Sequence, residues 1–180
     1  MKAKCHNMEK KGSVFSKEHL CGGKIIESFI PTCEEDGFTL LQRKRGIRLI
    51  FAGLEPKFDW FPVPCLWVFA TDEKGGAFAH RKGKLENSPI YYVSVENRCW
   101  YLAKNFQEFV RLVIFAPEWM EKVIGKQCDF SEETKEEREK MGMVFDLEPL
   151  KIDLLDVVKE AEEIRIFASQ AEAEVEYEFI

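Results

Sequence analysis

The chain has 180 residues, 46% of them hydrophobic and 32% charged, with a formal net charge of −6. That length carries one domain, or one domain with an appendage, and buries enough surface to need no metal or disulfide staple. No run of 18 apolar residues occurs, which argues against a membrane-spanning helix, and the basic start MKAKCHNMEKKGSVF lacks the apolar stretch of a secretory signal, so the expected compartment is the cytoplasm.

Residues 1–24 are polar, carry Gly12, Gly22 and Gly23, and read as a loose leader. IIESFI follows as a short apolar segment that stops at Pro31. Thr32 then caps a helix with Glu35 as its capping-box partner. Phe38 and Leu41 share one face, Arg43, Lys44 and Arg45 suit the negative end of the dipole, and Gly46 ends the helix. Gly37 inside it is unfavourable. Ile47 to Ala52 reads as a strand. Residues 53–64 read as loop, because Pro56, Pro62 and Pro64 forbid a regular helix and a central strand, with Trp60 and Phe61 pinning it to the core.

Two hairpins come next. Leu66–Thr71 and Ala77–His80 flank the turn Asp72–Gly76, and Pro89–Val95 and Arg98–Leu102 flank Glu96-Asn97. Short strands joined by tight turns pair antiparallel. Fifteen Phe, four Trp and four Tyr supply an aromatic core for such a sheet. Asn105 caps the clearest helix, with Glu108 placed to close a capping box. Phe106, Phe109, Val110, Val113 and Ile114 fall on one face, to be laid across the sheet. Pro117 ends it, and Glu118–Val123 gives a short turn of helix carrying Trp119. A charged helix is expected from a Ser131 cap through Glu132 and Glu133 to Gly142. A longer one is expected from Asp153 to Ala168, striped by Leu154, Val157, Val158, Ala161, Ile164 and Ala168. Residues 171–180 alternate acid and apolar and fit an edge strand or a mobile acidic tail.

Charge is unevenly spread. Residues 129–180 hold 17 acids and 6 bases, whereas residues 1–128 are net basic. The acidic part suits a basic protein partner and disfavours nucleic acid; its plain alternative is a solvated helix surface.

Chemistry-bearing patterns are weak. Cys5, His6, His19 and Cys21 match no compact zinc spacing, and the Asp72–Gly76 turn lacks the alternating oxygen ligands of a calcium loop. No GxSxG, P-loop or dinucleotide glycine pattern is present, so no cofactor is expected. The six cysteines never form CxxC and read as free thiols. The basic run Arg43–Arg48 reads as a helix end in preference to a phosphate contact, and the aromatic strands lack the residue order of an RNA-stacking sheet. His80 reads as a partly exposed imidazole. The enzyme alternative would have to use His80 and Asp72 with Cys65 or Cys99.

The stretch from Leu66 to Val113 resembles the SUKH superfamily, bacterial toxin-immunity proteins with fungal relatives linked to cell-wall regulation. Three pieces carry the likeness: VFATDEKGGAFA, PIYYVSVEN and LAKNFQEFVRLV, the last from Leu102 to Val113. Ile30-Pro31 through Leu41 and Gly46 resemble the upstream part loosely, and residues 1–24 and 129–180 have no counterpart. The expected fold is α+β: a single bent antiparallel sheet of about four to six strands with helices packed on it. Residues 25–128 would form that domain, and residues 129–180 an acidic helical extension packed on the same domain. The resemblance implies a non-catalytic immunity protein that neutralises a toxin by direct binding, with a regulatory scaffold for an endogenous protein as the alternative. Charge points to Asp72, Glu73, Glu132, Glu133, Glu136 and Glu137 as the partner contacts.

Overall fold

The structure, a computed structural model, describes residues 24–29, 37–125, 127, 133–149 and 153–177. Residues 1–23 of the leader, the Thr32–Glu35 helix start, Ser131, Glu132 and the last three residues lie outside them, and Lys24 opens the first strand. So do Cys5, His6, His19 and Cys21.

The fold is α+β. Four consecutive strands form an antiparallel meander: β4 (Leu66–Thr71), β5 (Ala77–His80), β6 (Ile90–Val93) and β7 (Cys99–Ala103). Both turns follow the sequence reading: Gly75 adopts φ 85°, and Asn97 adopts φ 60° where the second hairpin needs the left-handed region. Three short strands extend the meander to seven. On the β4 edge, β1 (Lys24–Ile26) pairs parallel to Leu66–Val68, and β2 (Arg48–Leu49) pairs antiparallel to Ala70–Thr71. The helix α1 (Gly37–Arg45) lies between them in the chain. The strand expected over Ile47–Ala52 is therefore only two residues long, followed by an isolated bridge from Phe51 to Phe29. On the other edge, β8 (Lys159–Glu160) pairs with Tyr101 and Trp100.

The face carrying Phe69, Phe78, Tyr92, Trp100 and Leu102 is covered by α2 (Phe106–Phe115). Asn105 caps α2 by accepting from the Glu108 amide at 2.9 Å. Glu108 turns its own carboxylate to Arg111 at 2.5 Å. The predicted apolar face is buried, with Phe109 and Ile114 fully enclosed. A bulge between Val68 and Ala70 lets Phe69 and Ala70 both join this helix-side core while Leu66 and Val68 join the opposite one.

The C-terminal segment differs most from expectation. α3 (Lys135–Val144) begins one turn later than predicted, capped by Thr134 with a closed Glu137 capping box. Gly142 sits inside it, and a Cβ there would lie 2.5 Å from the Phe115 ring, so the glycine serves close packing and does not end the helix. No helix runs from Asp153 to Ala168. Leu154–Val157 makes a single 3₁₀ turn, β8 follows, and β9 (Arg165–Phe167) pairs antiparallel with β3 (Phe61–Val63) as a two-stranded ribbon. The prolines of residues 53–64 thus exclude a central strand but not this ribbon, where Pro62 lacks only one donor. Val157, Val158, Ile164, Ile166 and Phe167 are β-branched or aromatic, and open edges at β7 and β3 outweigh the helical spacing. Of residues 171–180, expected as strand or tail, 171–177 belong to a helix, α4 (Gln170–Tyr177), with the Glu172 amide bonded to Ser169 Oγ at 3.3 Å.

The extension is therefore part of the fold and only partly helical. Met141, Leu147 and Val158 join the helix-side core, while Ala161 and Ile164 close the opposite face against Leu66, Val68, Ala79, Tyr91 and Val93. Among the described residues no helix is long and apolar enough to cross a membrane.

Candidate partner-binding surface

The sequence-predicted contacts among the described residues gather at the sheet end that carries both hairpin turns, but they do different work there. Asp72 is buried (9% exposed) and shapes its own turn. Its Oδ1 accepts from the Lys74 and Gly76 amides at 2.8 and 2.7 Å, and its Oδ2 accepts from the Tyr92 hydroxyl at 2.6 Å. Gly76 is required beneath that hydroxyl, because an added Cβ would sit 2.1 Å from Tyr92 Oη and 2.4 Å from Cζ. Gly76→Ala is expected to lower the urea midpoint by the equivalent of about 1–3 kcal/mol, the usual cost of overpacking. An unchanged midpoint would mean that Tyr92 is not held there.

Glu73 is exposed and pairs with Arg48 at 2.9 Å, while Lys74 Nζ reaches the Gln127 carbonyl. Glu133 is largely enclosed by a two-pronged contact with Arg45, at 2.7 and 3.1 Å. Arg45 also donates to the carbonyls of Val113 and Ile114, at 2.5 and 3.1 Å. A single side chain thus ties the end of α1 to the last turn of α2 and to the approach to α3. Glu136 is exposed. Glu137 is exposed but held in the α3 cap, where the Thr134 amide and hydroxyl, followed more weakly by Lys44 and Lys140, keep its carboxyl below the usual range. Arg45, Arg48 and Lys44 therefore answer much of the acid at this end.

The less compensated acid lies elsewhere. Residues 153–177 hold eight acids and two bases and run along the β7 edge and over the face opposite α2. Arg98 grips Glu160 at 2.8 and 3.1 Å and holds its carboxyl below the usual range. Burial, then the neighbouring Glu163, raises the Tyr91 phenol, whose hydroxyl donates to Glu163 at 3.2 Å. Arg165 pairs with Glu176. Asp153, Asp156, Glu162, Glu172 and Glu174 stand exposed along the same segment, with Val157, Val175 and Tyr177 among them as exposed apolar side chains. Sequence reasoning did not single these residues out as contacts. For Glu172, Glu174, Val175 and Tyr177 the signal was the acid–apolar alternation that starts at Ala171, which becomes a surface only once α4 is seen to fold.

Beside α3, an open cavity of about 450 Å3 has Phe115 and Leu154 on its walls together with Glu118, Lys122, Glu133 and Arg138. Glu118 Oε2 is buried there, 3.6 Å from Arg138, with no hydrogen-bond partner among the described residues.

Of the groups of the enzyme alternative, Asp72 and His80 are kept apart. Asp72 and His80 lie at opposite ends of β5, about 13 Å apart at strand rise. His80 is fully buried, not partly exposed as its sequence context suggested, and contacts Glu27 at 2.9 Å. Burial pushes the Cys65 thiol up to about 11 and raises that of Cys99 as well, with Glu163 and Glu160 adding to the latter. Buried thiols held protonated in this way are poor nucleophiles. Among the described residues no three His, Cys, Asp or Glu side chains are grouped to hold a metal ion.

Comparison with protein-family models, with curated proteins and with solved structures finds no match to this chain.

Proposed function

We propose that this chain is a non-catalytic protein-binding domain that captures a basic protein, and that the partner is a toxin which it neutralises by direct contact. The observation that carries the reading is the acidic C-terminal wrap. Exposed carboxylates are mounted on a segment in which Ala161 and Ile164 are buried against the sheet and Ala173 is buried where α4 packs on the β3–β9 ribbon. A charged surface fixed to a rigid core attracts an oppositely charged partner over several ångströms and orients it before contact. The exposed Val157, Val175 and Tyr177 offer apolar contact within the same surface. The likeness of Leu66–Val113 to toxin-immunity proteins supports the same class and supplies the toxin as partner. Neutralisation would then be steric: the domain covers the toxin's working surface, and no bond need form or break.

The test uses the protein encoded by the adjacent gene. Reversing three exposed charges together (Glu162→Lys, Glu172→Lys, Glu174→Lys) is expected to slow association by about tenfold or more at low salt, with a smaller change in dissociation. Thermal stability should be nearly unchanged. Equal association rates for the wild type and the triple variant would remove this surface from the account.

A further inference from the structure

The strand β8 covers only part of the β7 edge. It pairs with Trp100 and Tyr101, and among the described residues no strand lies beside Leu102 and Ala103 on that side. The 3₁₀ turn Leu154–Val157, which precedes β8, packs at this gap. Between the turn, the end of β7 and α2 lies an open groove of about 150 Å3. Leu102, Ala103 and Leu112 are almost wholly buried and form its base, while the half-buried Leu154 and the 38%-exposed Val157 form its outer wall. An apolar space of this size takes one benzene-sized group.

The rim of the groove is charged. Asp153 opens the turn and Asp156 precedes Val157, and both are exposed. One Asp153 oxygen accepts from the Leu155 amide at 2.9 Å, which fixes the turn that carries both carboxylates. On the opposite rim Glu108 is held by Arg111 at 2.5 Å, and Lys104 is exposed. A cation approaching the mouth is therefore drawn to the turn and repelled from Lys104, which sets its orientation. We propose that this groove is the anchor site for one apolar side chain, of leucine or phenylalanine size, on a basic polypeptide, with a neighbouring lysine or arginine of that polypeptide set against Asp153 and Asp156. The inference rests on the reading of this chain as a binder of a basic protein, and it adds the point at which that protein is gripped. Binding energy at an interface concentrates where a large side chain fills a desolvated hollow, while the charges around it govern approach. Val157 belongs both to the wall of the hollow and to the acidic C-terminal surface, so the two features are continuous.

Two tripeptides capped at both ends, lysine–phenylalanine–lysine and lysine–alanine–lysine, test this on the whole chain by methyl NMR. The phenylalanine peptide should shift the methyls of Leu102, Leu154 and Val157 and bind about tenfold or more tightly than the alanine peptide, the scale of burying one large apolar side chain. Val157→Asp changes an exposed position and should leave the fold intact. Charge alone would make that variant bind both peptides better, whereas filling of the groove requires that its preference for phenylalanine be lost. Equal affinity for the two peptides in the wild type, or a preference that survives Val157→Asp, would overturn the proposal. So would methyl shifts that follow the protein's own concentration with no peptide present, since a second copy would then be the occupant. In the complex with the protein encoded by the adjacent gene, Val157→Asp should raise the dissociation rate by about tenfold while association holds or quickens. Peptides that discriminate without any such complex forming would leave the groove standing and remove the toxin reading; a complex whose chain does not discriminate between the peptides would do the reverse.

Discussion

Replacing Phe109 with alanine is expected to destabilise the protein by about 3–5 kcal/mol, the cost of emptying a fully enclosed aromatic site. Phe109 is 0% exposed, and its ring centroid lies 5.3 Å from Phe78, 5.8 Å from Phe106 and 6.1 Å from Phe69. It is the side chain through which α2 engages both β4 and β5. The neighbours are themselves buried aromatics, so they have little freedom to collapse into the space. A domain of this size has about 5–15 kcal/mol in all, and the loss should appear as a large drop in the urea midpoint. A loss below about 1 kcal/mol would show that α2 is not packed on the sheet in this way.

The second large effect is electrostatic. Arg45→Met should cost about 3–5 kcal/mol, because it leaves the largely enclosed Glu133 carboxylate with only its longer contact to Arg138, 3.5 Å away. It also removes the donors to the Val113 and Ile114 carbonyls. Adding Glu133→Gln should restore part of the loss by removing a carboxylate that has lost its two-pronged partner, a coupling that a double-mutant cycle reads directly. If the single change is neutral, or the second change gives no recovery, Arg45 is not the tie between α1, α2 and α3.

The meander was legible in the sequence for a physical reason. Its strands alternate or run apolar between turns whose residues permit positive φ, as at Gly75 and Asn97, and α2 announces itself by Asn105 and a clean apolar face. Both signals are local. What stayed hidden depends on partners far along the chain. His80 looks like any histidine at a strand end until Glu27, 53 residues earlier, is placed beside it. Arg43, Lys44 and Arg45 look alike as a basic helix end, and only the fold turns Arg45 inward toward Glu133. Residues 154–168 satisfy a helical stripe and a strand composition at once. The open edges of β7 and β3 decide between them, and no local pattern reports those edges. Ser169 followed by Glu172 is a helix-start signature that was available but was masked by the acid–apolar alternation after it.

For the surface, total charge was informative and individual positions were not. Acid counted along residues 129–180 pointed to a basic partner, yet Asp72 and Glu133 proved to be internal, while the segment from Asp153 to Tyr177 presents carboxylates outward.

The most direct test of the account is to mix the chain with the protein encoded beside it and measure the mass of what forms, followed by the intact mass of each chain. The account predicts an equimolar complex that weakens as salt is raised, with both polypeptides chemically unchanged and cells expressing this chain protected from its neighbour. No complex at low salt, or a partner that emerges cleaved or modified, would contradict it.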